Sequence, residues 1–321
     1  MPLFVAEMAL RVKNDAVLVL QDLRPGPWTS WGTFDDHDTL LGWVPRPNTF
    51  ITRQAGWSAS TDEYRLRQNR PPSDTVTLAN PPILAIGDSG AFGDEVDDHE
   101  TWPAHLEIRL ERRVLNAGVS AYGIDQAVLR GERLYPQLEP TLVIFTVVSD
   151  DVTRTALKFW NRWKPYFQLE DSELQLTKPP RRDATLPGSW WRTTLGHSHI
   201  ARFVMRRAFP EAWEHRVRRR AHHDEVEVSG LLLLRLREFV ESREGRLLVV
   251  LTAGGNANVT HIGALREQAR KYGVTVLDLS TELVRFAQDP AENARMFRPA
   301  YHPSPEGNAW IAERIIDKLV E

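Results

Sequence analysis

Residues 83–93, Ile83-Leu84-Ala85-Ile86-Gly87-Asp88-Ser89-Gly90-Ala91-Phe92-Gly93, pass from four apolar side chains directly into small and polar ones. A short apolar run cut off by a turn signal describes a buried strand. Glycines at 87, 90 and 93 let the chain bend tightly about Ser89 and keep side-chain bulk away from its hydroxyl. Open α/β sheets place their reacting groups at the carboxyl ends of such strands. Ser89 is therefore a candidate nucleophile, and equally a serine that only caps the following turn; the rest of the chain has to separate the two.

Outward from this stretch, further apolar runs at 112–115, 141–148, 246–252 and 274–279 read as buried parallel strands, being short, rich in Val, Ile and Leu, and not alternating. Helical periodicity fills the gaps at 100–111, 124–136, 229–243, 260–272 and 305–320. Strand and helix in alternation imply an α/β fold: a doubly wound, five-stranded parallel sheet flanked by helices, in the flavodoxin-like manner.

Residues 1–80 lack that alternation. Leu41-Gly42-Trp43-Val44-Pro45-Arg46-Pro47-Asn48 and the proline pairs at 71–72 and 81–82 mark a turn-rich segment, expected to be a β-rich N-terminal extension packed on a catalytic domain of residues 81–321. Residues 152–228 interrupt the pattern after the third strand. A connection of that length inside an α/β domain is usually functional, so it is read as an insertion or lid. Its Trp160, Trp163, Trp190 and Trp191 suit a substrate wall and core packing equally well. Arg206, Arg207, Arg216, Arg218, Arg219 and Arg220 are read as the solvated face of an amphipathic helix, pairing with Glu211 and Glu214.

At 321 residues the chain is long enough for a full core with an appendage. A net charge of −3 gives no reason to expect nucleic acid as a partner. The absence of cysteine removes disulfides, thiolate metal sites and cysteine nucleophiles together. No run approaches the ~20 apolar residues of a membrane span, and the N-terminus lacks the layout of a signal peptide. No His or carboxylate cluster has metal-ligand spacing, and Gly254-Gly255 lacks a phosphate-loop lysine or dinucleotide fingerprint. The expectation is no metal and no cofactor.

Gly87-Asp88-Ser89 after an apolar strand resembles the first block of the SGNH, or GDSL-type, hydrolases. Asn116-Ala117-Gly118-Val119-Ser120-Ala121-Tyr122-Gly123 resembles the second block, Thr141 to Asp151 the third, and Tyr301-His302-Pro303-Ser304-Pro305-Glu306-Gly307-Asn308 the last. The four stand in the family's order across residues 83–321. Gly42-Trp43 followed by Pro47-Asn48 resembles what precedes the first block in a polysaccharide-associated branch. Ala6-Glu7-Met8-Ala9-Leu10-Arg11-Val12 resembles the segment that follows a membrane anchor in some larger members. Cytoplasm is the default expectation for location, with a membrane-anchored or periplasmic protein as the alternative.

The resemblance implies Ser89 as nucleophile and His302 as general base. It also implies an oxyanion hole from the Ser89 N–H, the N–H at Ala121 where the family has glycine, and Ser149 or Asp150 where it has an asparagine amide. The aspartate usual just before the histidine is absent: Pro299 and Ala300 stand there. A backbone carbonyl, or a carboxylate from elsewhere with Asp289 and Glu292 the nearest upstream, would then orient the ring. Alanine keeps the backbone donor provided its φ stays negative. Three functions are compatible with these residues: an esterase removing O-acyl, especially O-acetyl, groups from a carbohydrate or small molecule; an O-acyltransferase using the same Ser-His pair; and a catalytically silent carbohydrate-binding module.

Overall fold

The structure is a computed structural model describing residues 2–13, 34–52, 56–70, 79–160, 162–171, 173–179, 198–209, 216–218 and 225–321. Helix α1 (Pro2–Lys13) comes first. Two antiparallel hairpins follow, β1 (Asp35–Asp38) with β2 (Gly42–Pro45), and β3 (Phe50–Thr52) with β4 (Ser58–Ser60). The central sheet then begins with β5 (Ala79–Ile86). Short helix α2 (Ser89–Phe92) and helix α3 (Trp102–Leu110) lead to β6 (Arg112–Asn116), and α4 (Ile124–Leu138) leads back to β7 (Leu142–Val147).

Beyond β7, α5 (Ser149–Thr155) opens the insertion. It contains β8 (Leu157–Trp160), β9 (Arg162–Trp163), β10 (Tyr166–Glu170), β11 (Glu173–Thr177), a helix at His199–Ala208 and β12 (Arg216–Arg218). Helix Glu225–Glu241 returns the chain to the sheet at β13 (Arg246–Leu251), and β14 (Val276–Asp278) completes it.

The sheet order is β14-β13-β7-β5-β6, with every pair parallel. Side-chain alternation decides its two layers. Ile83, Ala85, Val114, Leu142, Ile144, Leu248 and Val250 join one core, against α3 and the C-terminal helix Pro305–Val320. Leu84, Ile86, Leu115, Val143, Phe145, Val249 and Leu251 join the other, against α4 and Glu225–Glu241. Ile83, Leu84 and Ile86 have no exposed surface, and each such side chain stabilises the fold by about 1.5–3 kcal/mol. A strand buried on both faces must be apolar throughout, which is why these runs do not alternate with polar residues.

The chain leaves β5 toward β6 on one side and then crosses back to β7 on the other. That reversal opens a crevice at the carboxyl ends of β5 and β7, where ligands of such sheets bind. All five expected strands form. Helices also lie where none was expected, at Pro2–Lys13 in the extension, and at Ser149–Thr155, Ser280–Gln288 and Pro290–Met296. Arg216 and Arg218 are not on a helix: their strand β12 pairs antiparallel with β8, Arg216 opposite Trp160. Helical charge spacing over so few residues cannot be told from a strand's. The insertion is pinned to α4 by Lys164, whose fully buried ammonium pairs with the Asp125 carboxylate and donates to the carbonyls of Leu157 (3.2 Å) and Pro165 (2.9 Å).

No described helix is long and apolar enough to cross a membrane.

Candidate active site

Ser89 is the first residue of α2 at the mouth of the crevice. Asp88 caps this turn, its Oδ1 accepting from the Gly90 N–H at 2.8 Å. Gly87 makes the approach feasible: it adopts φ +152°, and a Cβ there would lie 2.7 Å from the Thr146 hydroxyl and 2.8 Å from the Thr146 carbonyl of the neighbouring strand. Gly118 plays the matching part in the next loop, since a Cβ there would strike the backbone of Ala91 and Phe92 in α2.

His302 arrives from the opposite end of the chain. Ser304 caps the C-terminal helix, its hydroxyl accepting from the Gly307 N–H at 3.0 Å, with Pro305 at the first helical position. The helix therefore starts just past His302 and leaves it on the loop before. That loop is held by the Phe297–Pro303 bridge, and the Tyr301 carbonyl accepts from the Gly255 N–H at 3.0 Å. His302 Nε2 lies 3.0 Å from Ser89 Oγ.

The other ring nitrogen, Nδ1, lies 2.8 Å from Oε2 of Glu95. Asp289 and Glu292, the carboxylates expected to orient the ring, are engaged elsewhere. Asp289 caps the helix Pro290–Met296 through the N–H groups of Ala291 and Glu292, and Glu292 pairs with Arg295. The carboxylate at the imidazole thus comes from the serine's loop. Sequence reasoning looked for it beside the histidine. The available signal was the Gly93-Asp94-Glu95 turn six positions after Ser89, where a single helical turn reverses and brings the chain back to the pocket.

Arg67 fixes that reversal. Its guanidinium has no exposure and donates to the carbonyls of Phe92 (2.8 Å), Gly93, Val96 (2.7 Å) and Ser58 (3.1 Å), and to Asp98 Oδ1 at 2.9 Å. The turn is bent hard enough that Glu95 takes φ +70°, a left-handed conformation costing a non-glycine residue roughly 1–2 kcal/mol. The bond from His302 lowers the pKa of Glu95. As an ionised carboxylate it can only accept, so neutral His302 carries its proton on Nδ1 and turns the Nε2 lone pair to the serine hydroxyl. Burial works against a charge on the ring, but the bond to Glu95 and the nearby Asp94 and Asp88 carboxylates outweigh it, and the His302 pKa is raised.

A second charged cluster lies on the other side of Ser89. Arg154 Nη1 donates to Asp88 Oδ2 (3.0 Å), Asp151 Oδ1 (2.7 Å) and the Tyr122 carbonyl (2.9 Å). Asp88 Oδ2 is also 3.3 Å from Ser89 Oγ. Burial and the adjacent Asp88 raise the Asp151 pKa well above the usual carboxylate range, whereas Asp88, despite its burial, is lowered by Arg154 and the Gly90 N–H. Sequence reasoning passed over Arg154 because an arginine on a short helix has no distinguishing spacing.

Ser89, His302, Ser149, Asp150 and Arg154 line one pocket of about 180 Å³, floored by Trp102, Thr146 and Ile311 and rimmed by Asn256, Asn258 and Tyr301. The Ser149 hydroxyl accepts from the His261 N–H at 3.0 Å, and Asp150 Oδ1 accepts from the Asn258 amide at 2.8 Å. Ala121 adopts φ +66°, so the condition of a negative φ is not met there, and it does not line the pocket. Trp160 and Trp163 do not line it either. Trp160 faces the Arg154 guanidinium at 5.9 Å, and Trp163 packs edge-on against Phe159 with ring centroids 5.2 Å apart. Trp190 and Trp191 lie outside the described residues. Among the described residues no group of three His, Asp or Glu side chains could hold a metal ion.

No protein-family model and no curated protein matches the chain. Among solved structures the chain is similar in fold to a lipolytic protein of the G-D-S-L family from Desulfitobacterium hafniense DCB-2, at 15% identity over 74% of this chain and 98% of that one, TM-score 0.40. It is also similar to the psychrotrophic esterase EstA from Pseudoalteromonas sp. (13% identity, 75% and 97% covered, TM-score 0.44). A third similar structure is the acetyl xylan esterase AlAXEase (10% identity, 74% and 99% covered, TM-score 0.43).

Proposed function

We propose that this chain is a serine esterase that cleaves short O-acyl esters, with acetyl the acyl group and a carbohydrate the alcohol. The observation that carries the reading is the run of contacts from Glu95 to His302 to Ser89, 2.8 and 3.0 Å, at the head of a pocket. A serine hydroxyl needs a base within hydrogen-bond reach, and the base needs a third group to orient it. Ser89 Oγ attacks the ester carbonyl as its proton passes to His302 Nε2. The alcohol leaves with that proton, and water activated by the same nitrogen releases the acid.

Pocket size supports a short acyl group, since about 180 Å³ is below the ~300–1,000 Å³ of sites for drug-sized ligands. The polar rim of Asn256, Asn258 and Tyr301 suits hydroxyl groups on the alcohol side. The silent-module reading loses one of its supports with Glu95 on the imidazole. The test is labelling of the folded chain with a fluorophosphonate, alongside hydrolysis of p-nitrophenyl acetate. Ser89 should carry the label, and Ser89→Ala should abolish both signals; an unlabelled Ser89 at neutral pH rejects the esterase.

A further inference from the structure

The third block lacks the asparagine whose amide would face the oxyanion, and neither residue in its place is a simple substitute. The Ser149 hydroxyl accepts the His261 N–H and keeps one rotatable O–H to donate, a less fixed donor than an amide, and Asp150 presents a carboxylate. A carboxylate beside a developing oxyanion opposes it when ionised, so a fixed cationic donor elsewhere in the pocket would offset it. Arg154 is placed to supply one. Its Nη1 touches Asp88 Oδ2, which itself touches Ser89 Oγ, so the guanidinium is no farther from the nucleophile than those two contacts laid end to end. The same nitrogen holds the carbonyl of Tyr122, next to Ala121.

Among the described residues, the hydrogen bonds Arg154 makes all go through Nη1. Its Nε is buried without a partner, and Nη2 has none among the described residues. The side chain is only 13% exposed and still lines the pocket. A guanidinium carries five N–H donors in a rigid fork, and this one uses a single nitrogen to anchor itself.

Resting on the esterase reading above, we infer that Arg154 donates to the oxyanion formed when Ser89 attacks the ester, replacing the missing asparagine amide. As the Ser89 Oγ–carbon bond forms and its proton moves to His302, the carbonyl π pair shifts to oxygen, and on this inference Nη2 of Arg154, in the same pocket, donates to that oxygen. Collapse returns that pair to the carbonyl and expels the alcohol oxygen, which takes the proton from His302.

The test uses the full chain, p-nitrophenyl acetate and a trifluoromethyl ketone, whose adduct with Ser89 carries the oxyanion. Arg154→Gln should lower kcat by about 100- to 1,000-fold with KM within about threefold, the pattern of a lost oxyanion donor. Ketone affinity should fall in parallel with kcat/KM, whereas a purely bracing arginine would alter KM and melting temperature instead. If Arg154→Gln does not fold, Arg154→Lys decides: a point charge without the fork should lose about tenfold in kcat at unchanged KM, and wild-type kcat overturns the inference. Arg154→Gln with kcat within threefold of wild type also overturns it. Those results with Ser89 of the wild type labelled by fluorophosphonate leave the esterase standing, whereas an unlabelled wild type removes both.

Discussion

Glu95 and Asp151 are carboxylates on opposite sides of Ser89, each joined to it through one intermediate group, His302 for Glu95 and Asp88 for Asp151. Glu95 is partly exposed and faces an imidazole, and its pKa falls. Asp151 is fully buried against another carboxylate, and its pKa rises although Arg154 is 2.7 Å away. Side-chain chemistry is nearly the same in the two; what differs is solvent and the sign of the closest neighbour. The first is held toward its charged form beside His302, the second pushed toward its neutral form inside a buried network.

The largest effect expected from breaking this contrast is at Glu95. Glu95→Gln keeps the shape but permits the wrong imidazole tautomer, and kcat should fall by about 10³- to 10⁴-fold. The pH profile sharpens the test. The base works only when neutral, so wild-type kcat/KM should rise through a pKa above the ordinary value of about 6.5. With Glu95→Gln the residual limb should move to lower pH, because a group that favours the charged ring is gone. Stability follows the same sign: the raised His302 contributes most below its unfolded pKa, and that contribution fades as pH climbs through the folded value.

Arg67→Met comes next. It removes the cation from Asp98, which keeps only the Ser60 donors among the described residues, and takes the guanidinium from four carbonyls, so unfolding by denaturant should show a loss of about 3–5 kcal/mol. Any folded fraction should lose kcat as well, since the turn carrying Glu95 is no longer braced. Asp151→Asn should do least. An amide can donate to Asp88, but its nitrogen takes the place of one of the two oxygens that accept from the Val148 N–H (3.0 Å) and from Arg154 (2.7 Å), so the loss of stability should be about 1–3 kcal/mol, below that of Arg67→Met, with kcat close to wild type. A loss as large as that of Arg67→Met would mean that Asp151 is ionised and the contrast with Glu95 is wrong.

Much of the sheet was legible because its signals are local. Ile83 to Gly93 declares strand, turn and exposed serine within eleven consecutive residues, and the remaining strands repeat the same apolar grammar. The third partner of the imidazole was not legible, because its bond joins residues 207 positions apart and no periodicity links them. Its turn also puts a left-handed φ on a glutamate, where residue preferences point to glycine. Arg67 was hidden for a related reason: a buried arginine feeding backbone carbonyls looks, in sequence, like any surface arginine. Lys164 is the same case in the insertion.

Ser89 and Glu95 sit on one continuous bend, clamped by the single guanidinium of Arg67, while His302 stands on a separate loop beside the last helix. The site is therefore assembled from two rigid pieces rather than three, and one displacement of the 298–303 loop would break both imidazole contacts together. Such a centre is either whole or dismantled, with few half-working arrangements between.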